Sequence, residues 1–450
     1  TYTALMIAEQ LAGPGKTVLF LVPSLALMSQ TITEWKNDAS TDFRAFAVCS
    51  DTKVGKRHTD NDLVDLTIHD LVLPATTDGE KLAEKFGQPS AGKLTVVFST
   101  YQSIQAVSDA QLIHGIPDFD LIICDEAHRT TGAKLDGEDG SDFIKVHDQS
   151  IIRGNKRLYM TATPRIFGED AKKKAKGENA VLASMDDEAT YGPVIFERGF
   201  AWAVEQDLLT DYKVIVLAVD EGVVAENIQS YFASGGELPL NDATLIVGCY
   251  KALAKYNLAD ALKTDERPMQ RALAFCKSVK SSKNFQQDFA KISAQYAAAE
   301  AQEIGYERPL SCELQHVDGT MNAAERGIKL DWLKEDFDDD TCRILTNARC
   351  LSEGVDVPAL DAIMFLSARK SPIDVIQSVG RVMRKAPGKK MGYVIIPITI
   401  APGVTPEEAL GDNQRYEIVW KILNALRAHD ERLGARFAKA ELGEDGQIRH

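Results

Sequence analysis

The sequence predicts an α/β fold of two parallel-sheet lobes followed by a helical extension, and three features carry that prediction. Short apolar runs recur in both halves of the chain between longer amphipathic stretches, the alternation that a doubly wound parallel sheet requires. One run, Leu121-Ile122-Ile123-Cys124, ends on two adjacent carboxylates, Asp125 and Glu126, followed by Ala127 and His128. With 450 residues the chain is long for one domain and suits two or three.

In the first lobe, residues 1–210, strands are expected at Val18–Val22, Phe43–Cys49, Leu94–Phe98, Leu121–Cys124 and Arg157–Met160. The Leu121 run, with Asp118 and Asp120 just before it, reads as a strand buried on both faces. Ile166–Ala189 is polar, lacks core residues and carries the lysines of Ala171–Gly177, so a surface insertion is expected there. A solvated helix face explains those lysines better than nucleic-acid contact. The second lobe, residues 211–400, has expected strands at Val214–Val219, Leu273–Cys276, Cys312–His316, Arg343–Thr346, Ala362–Leu366 and Tyr393–Ile396. Residues 401–450 read as the helical extension, because Glu417, Trp420, Leu423, Leu426 and Ala428 fall near helical spacing.

Composition narrows the class. Hydrophobic content of 44% and charged content of 26% are ordinary for a globular chain. No apolar run approaches the ~18 residues of a membrane span and no signal peptide opens the chain, so a cytoplasmic protein without a membrane partner is expected. Cys49, Cys124, Cys249, Cys276, Cys312, Cys342 and Cys350 form no C-x-x-C, which favours reduced core cysteines over a metal site. A net charge of −15 argues against a nucleic-acid partner, but only in part. Acidic residues concentrate in Asp136–Asp142, Asp186–Glu188 and Glu335–Asp340, whereas Arg381, Arg384, Lys385, Lys389 and Lys390 lie together. A local basic track can bind phosphates with modest, salt-dependent affinity.

Ligands of open parallel sheets bind at the carboxyl ends of the strands. Two carboxylates delivered there suit nucleotide hydrolysis: Asp125 can hold Mg²⁺, and Glu126 can orient and deprotonate a water. The tetrapeptide alone does not decide this, since a carboxylate pair at a strand end is often a solvated turn. Phosphates also require a Gly-rich loop between a strand and a helix N-terminus. Gly13-Pro14-Gly15-Lys16-Thr17 has the right letters in the wrong context. Ala4, Ile7, Ala8 and Leu11 predict a helix before it, the Val18–Val22 run predicts a strand after it, and Pro14 removes an N–H donor.

Other runs complete a series. Leu19–Ser24 and Val96–Tyr101 precede the carboxylates; Thr161-Ala162-Thr163-Pro164, Ala272–Val279, Arg343–Asn347 with Ser352–Pro358, and Gln377–Arg384 follow. In this order they resemble the helicase motifs of superfamily 2 helicases and translocases, whose motor is two RecA-like lobes. The resemblance implies ATP and Mg²⁺ as cofactors. It implies that Thr1, opening a helical pattern, ends a phosphate loop and joins Asp125 on the metal. The first lobe is then truncated at its N-terminus, and the chain by itself lacks its phosphate clamp and is expected to be inactive. His128 would bond across the cleft, with a satisfied hydrogen-bonding histidine as the bland alternative. Gly354 would allow close approach to the nucleotide and Asp356 would bond its ribose. Pro23, Ser24, Ser99, Thr100, Lys277, Ser278, Thr346 and Asn347 would contact phosphates along one nucleic-acid strand, although each alone also reads as a strand-end turn.

The last motif has its own geometry. Ser371 and Pro372 read as N-cap and first helical residue. On that helix Gln377, Arg381 and Arg384 share a face, with Val375, Val379 and Val382 turned to the core. Two such arginines suit fingers that stabilise charge on the γ-phosphate, and Gly380 suggests close packing under the nucleotide. Gly380-Arg381-Val382-Met383-Arg384, Thr161–Phe167, Tyr191-Gly192-Pro193, Asp207–Lys213 and Trp420–Asp430 are similar to the motor of single-polypeptide type ISP restriction–modification enzymes and related bacterial and phage helicases. That family implies translocation on double-stranded DNA, with nuclease, methyltransferase and target-recognition domains in the same parent chain. A DEAH-type RNA helicase, or a nucleic-acid-binding module with a dead nucleotide site, are the alternatives.

Overall fold

The computed structural model describes residues 1–49, 75–90, 92–135, 142–177, 180–228, 239–255, 267–304, 309–321, 323–348, 360–367, 371–402 and 417–433. Gly354 and Asp356 lie outside the described residues. The chain divides into two compact units, Thr1–Ile195 and Phe196–His450.

The first unit contains strands β1 (Thr17–Val22), β2 (Phe43–Val48), β3 (Ala75–Thr76), β4 (Leu94–Thr100), β5 (Leu121–Cys124), β6 (Gly132–Leu135), β7 (Arg157–Tyr159) and β8 (Ala180–Ala183). Six form one sheet in the order β3-β2-β4-β1-β5-β7, and every pairing in it is parallel. Each run expected for this half is a strand of that sheet. The short β3 is an addition too brief to show a pattern. Strand alternation sends Val18, Phe20 and Val22 to one face, where they meet Leu5, Ala8, Ile32 and Trp35. Leu19 and Leu21 reach the other, against Val97, Ile104 and Val107. Trp35 sits 5.2 Å from Phe20 and 5.4 Å from Phe98, edge to face in both pairs. Such pairs contribute about 0.5–1.5 kcal/mol each beyond burial.

Ile166–Ala189 departs from its expected character as a coreless insertion. Glu169–Gly177 is a helix, and β8 pairs antiparallel with β6 from Gly132↔Ala183 to Leu135↔Ala180. Ala175, Ala183 and Ser184 are buried. Strands of only four residues carry too short a pattern to be read in advance.

The second unit repeats the design with β9 (Tyr212–Asp220), β10 (Arg271–Phe275), β11 (Ser311–Val317), β12 (Thr341–Asn347), β13 (Ala362–Phe365) and β14 (Gly392–Ile400). Their order is β11-β12-β10-β13-β14-β9, again all parallel. Parallel neighbours need crossovers. After β13 the crossover is the helix Pro372–Val382, started as expected by the Ser371 side chain, which accepts from Ile373 N at 3.2 Å. The helix Glu417–Arg427 packs against it through Val419, Ile422, Ala425 and Leu426. Its buried face thus includes Leu426 from the expected pattern but not Trp420, which is 38% exposed. No helix among the described residues is long and apolar enough to cross a membrane.

Gly392 marks where this crossover returns to the sheet. A Cβ there would lie 2.6 Å from the Val382 carbonyl oxygen and 3.2 Å from Val382 Cγ1. Gly392→Ala is expected to destabilise the second unit by about 1–3 kcal/mol. Urea unfolding of that unit measures it; an unchanged midpoint would show that helix and strand can part without cost.

Candidate functional site

Parallel pairing of β5 stops at Cys124, so Asp125 stands at the carboxyl edge of the first sheet. Its amide donates to Leu21 O at 2.9 Å, and its carbonyl accepts from the Tyr101 hydroxyl at 2.8 Å. Glu126 follows in the left-handed region, φ 48° and ψ 46°, with its amide donating to Asp125 Oδ1 at 2.9 Å. That backbone conformation costs about 1–2 kcal/mol for a side chain with a Cβ. It ends the strand and starts a tight 3₁₀ turn, Ala127–Thr130. Two threonines close the turn: the Thr130 hydroxyl donates to Ala127 O at 2.8 Å, and that of Thr131 to His128 O at 2.7 Å.

Burial pushes the Asp125 carboxyl up to about 6, and the neighbouring Glu126 charge adds to it. Thr1 is the N-cap of the helix Tyr2–Leu11, and its carbonyl accepts from Trp35 Nε1 at 3.3 Å. His128 is buried, with Nδ1 3.0 Å from Thr161 Oγ1 and 3.3 Å from Glu126 Oε2. Nδ1 is thus committed inside the first unit, where it ties the carboxylate to the Thr161–Pro164 segment.

Lys16 is on the opposite edge. Gly13 and Gly15, at φ +74° and +79°, turn the chain from the first helix into β1. Lys16 Nζ then pairs with Asp120 Oδ1 at 3.1 Å, while Thr17 N donates to Asp120 Oδ2 at 2.9 Å. Asp120 precedes β5 and Asp125 follows it, so the length of that strand, about 13 Å, separates the two ends. The structure therefore agrees with the sequence in rejecting this GPGKT as the phosphate loop.

The residues assigned to nucleic-acid phosphates divide in two. Pro23, Ser24, Ser99 and Thr100 gather at the carboxyl ends of β1 and β4. Ser24 caps the helix Leu25–Asp38 by accepting from Leu27 N at 3.3 Å. Thr100 Oγ1 donates to Ser103 Oγ at 3.1 Å, and Ser99 Oγ to the Thr100 carbonyl at 3.0 Å. In the second unit Lys277 and Ser278 are exposed beyond β10. Thr346 and Asn347, at the end of β12, are fully buried. Asn347 Nδ2 donates to Ala274 O at 3.2 Å, and Thr346 Oγ1 lies 2.9 Å from Ser282 Oγ. The hydroxyls of Ser99 and Thr346 are thus spent on the backbone and side chains beside them, and the Asn347 amide nitrogen on the neighbouring strand β10.

Sequence reasoning missed the group that joins these loops. Ser282 Oγ is 2.7 Å from His316 Nδ1, and His316 Nε2 is 3.0 Å from Asp318 Oδ2. Burial alone would raise Asp318, but hydrogen bonds from Thr320 and His316 outweigh it and hold the carboxyl well below the usual range. The expected strand Cys312–His316 stops two residues short of Asp318, and nothing in the sequence indicated Ser282 as a partner of His316.

Gln377 and Arg381 lie on the Pro372–Val382 helix, half-buried. Arg384 does not share it: the helix ends at Val382, and Arg384 sits in the following turn, its amide donating to Arg381 O at 3.2 Å. The turn is held by Lys389, whose Nζ donates to Val382 O at 2.5 Å and Arg384 O at 2.8 Å. Val375, Val379 and Val382 are buried as expected. Gly380 is not crowded within its own unit, since the nearest atoms a Cβ would meet are carbons of the Phe200 ring at 4.0 Å.

Comparison with known proteins fits this geometry. Residues 1–166 match the family described as "Type III restriction enzyme, res subunit", and residues 254–386 match "Helicase conserved C-terminal domain". The chain carries a helicase core. It is similar over 100% of its length to the ATP-dependent Type ISP restriction-modification enzyme LlaBIII, solved bound to DNA, at 40% identity and a TM-score of 0.80. A nuclease-deletion mutant of the Type ISP enzyme LlaGI, in complex with a DNA substrate mimic, matches 98% of the helicase core at 33% identity and a TM-score of 0.62. "Probable helicase A859L" of African swine fever virus (isolate Pig/Kenya/KEN-50/1950) is 23% identical over 88% of the chain. The helicase core spans 29% of the LlaBIII chain, 27% of the LlaGI chain and 37% of the viral relative.

Two substitutions test the second unit. Gly380→Ala is expected to stabilise it by about 0.5–1 kcal/mol, because only helix propensity changes; a lower urea midpoint would reveal crowding that the described residues do not supply. Asp318 has a depressed folded pKa, so its contribution is complete above the ordinary carboxylate pKa and fades as pH falls toward the folded value. Asp318→Asn should therefore cost more stability near neutral pH than near pH ~3. An equal cost at both would remove its charge from the account.

Proposed function

We propose that this helicase core is an ATP-dependent motor acting on double-stranded DNA, of the restriction–modification kind, hydrolysing ATP with Mg²⁺ to translocate. The observation that supports it most is the likeness to LlaBIII along the entire chain, a DNA-bound enzyme, combined with the carboxylate pair at the carboxyl edge of β5. The donor set suits a magnesium nucleotide. Asp125 and Glu126 are close enough to repel, a strain that a divalent cation relieves. Among the described residues no group of three or more His, Cys, Asp or Glu could hold a metal alone. A site with one or two protein oxygens, completed by phosphate and water, is the Mg²⁺ arrangement. Asp125 and the Thr1 hydroxyl would hold the ion, which supplies charge to offset the phosphate oxygens. Glu126, kept by His128 and the left-handed turn, would accept the proton of the attacking water. Gln377, Arg381 and Arg384 would stabilise the charge that develops on the γ-phosphate, and Gly354 and Asp356 would contact the nucleotide. Lys277 and Ser278 would meet DNA phosphates directly. Pro23, Ser24 and Thr100 would do so through the loops they shape.

In the natural protein containing this chain, Glu126→Gln is expected to keep ATP affinity and lose turnover by about 10²-fold or more. Unchanged turnover would remove Glu126 from the mechanism. Duplex DNA should stimulate ATP hydrolysis more than single-stranded DNA or RNA, and Lys277→Ala should flatten the salt dependence of DNA binding by about one unit. RNA as the best activator would instead favour the DEAH RNA-helicase reading. Lack of any ATP binding would favour a nucleic-acid module with a dead site.

A further inference from the structure

Three side chains outside every assigned motif role grip the turn that follows Glu126. His147 comes from the short 3₁₀ turn Lys145–His147, Tyr159 from β7, and Tyr191 from the helix Glu188–Tyr191 that follows β8. His147 Nε2 lies 3.0 Å from the Thr130 carbonyl oxygen. A carbonyl only accepts, so Nε2 carries its hydrogen, and Nδ1 is left to accept from the Tyr159 hydroxyl at 2.9 Å. The Thr130 hydroxyl spends its own proton on Ala127 O, so the Tyr191 hydroxyl, 3.1 Å away, is the donor to Thr130 Oγ1. The rings pack as well as bond. His147 and Tyr191 are 4.9 Å apart at 70°, and Tyr159 and Tyr191 are 4.8 Å apart at 62°. Burial lowers the His147 pKa, in keeping with the neutral tautomer these bonds require.

The Thr130 carbonyl is thereby held by His147, and its hydroxyl by Tyr191 together with Ala127 O. Ahead of them the chain passes through the left-handed backbone of Glu126, which is disfavoured on its own and persists only where its surroundings over-determine it. The Ala127 amide, donating to Met160 O at 2.9 Å, supplies one restraint at the near end of the turn. The far end is closed by the Thr130 and Thr131 hydroxyls and tied to the rest of the unit by these three residues. We propose that His147, Tyr159 and Tyr191 form a clamp that locks the Ala127–Thr130 turn and so positions the Glu126 carboxylate for hydrolysis. They are positioning residues, and the proposal rests on the ATPase reading above. It also gives a role to Tyr191-Gly192-Pro193, which the motif roles leave unused: Tyr191 brings the chain beyond the β6–β8 ribbon back onto the hydrolytic turn.

The test uses the natural protein with Tyr191→Phe, which keeps the ring and removes the hydroxyl, and His147→Phe, which keeps a ring and removes both ring nitrogens. Amide hydrogen exchange at residues 127–131 should accelerate by about three- to tenfold in each, while the amides of β1 and β5 keep their protection. Turnover of ATP should fall by a similar factor at unchanged KM for ATP and unchanged DNA affinity. His147→Gln, which retains a donor and an acceptor, should recover most of the loss. Unaccelerated exchange overturns the clamp, and so does faster exchange with unaltered turnover. Absence of ATP turnover in the unsubstituted protein would overturn the functional reading instead, and the exchange data would then judge the clamp by themselves.

Discussion

The site hangs on the burial of one short strand. Leu121–Cys124 is buried at every residue and flanked within the sheet by β1 and β7, so its register cannot slip without turning core side chains toward the wrong layer. Val18↔Leu121 and Leu21↔Cys124 fix that register. Asp120 fixes the amino end by accepting from the amide and hydroxyl of Thr17 at 2.9 and 3.1 Å. With the strand pinned, Asp125 has one place to be, at the edge beside Leu21. A carboxylate placed there is partly desolvated and beside a second carboxylate, and both effects raise its pKa.

The two units apply one rule to different ends. In each, the carboxyl edge carries hydroxyl and amide side chains in short loops, and the deepest of these are structural. Ser99, Thr346 and Asn347 are fully buried, and their hydrogen bonds run inward, to the Thr100 carbonyl, the Ser282 hydroxyl and the Ala274 carbonyl of β10. Buried polar groups of this kind are costly unless completely satisfied, and once satisfied they specify one loop geometry. Lys283, Asp318, His316, Ser282 and Thr346 form such a chain, running from a half-exposed lysine to a hydroxyl at the core. It joins the ends of β11 and β12 to the first turns of the helix Val279–Ile304, just behind the exposed Lys277 and Ser278. What meets solvent at that edge is shaped by what lies one layer beneath it.

One point of backbone strain coincides with the proposed chemistry. Among the described residues only Glu126, Asp207 and Lys255 have positive φ without being glycine. One of these three is the residue with a proposed proton-transfer role. Tight packing of His147, Tyr159 and Tyr191 around Thr130 is the local compensation, built from segments that are far from the strand in sequence.

The sequence by itself determined the layered fold and the placement of its chemistry. Runs such as Leu94–Phe98 and Ala362–Leu366 are apolar on every residue or nearly so, a pattern only a doubly covered parallel strand satisfies, and their polar continuations necessarily fall at one edge. The rejection of Gly13–Thr17 was equally legible, because the order helix, loop, strand is a property of the chain. Only the tertiary structure decided which polar side chains face outward. Thr346 and Asn347 look like Ser278 in sequence, yet the first two are closed over by the Val279–Ile304 helix and the third is not. It also decided where the Pro372–Val382 helix stops, and therefore that Arg384 leaves the face of Gln377 and Arg381. The partners of His128, Thr130 and His316 come from 33, 61 and 34 residues away, and a periodic pattern carries no record of contacts at that range. Local periodicity reports which side of an element is apolar; the satisfaction of a polar atom depends on whichever distant segment packing brings beside it.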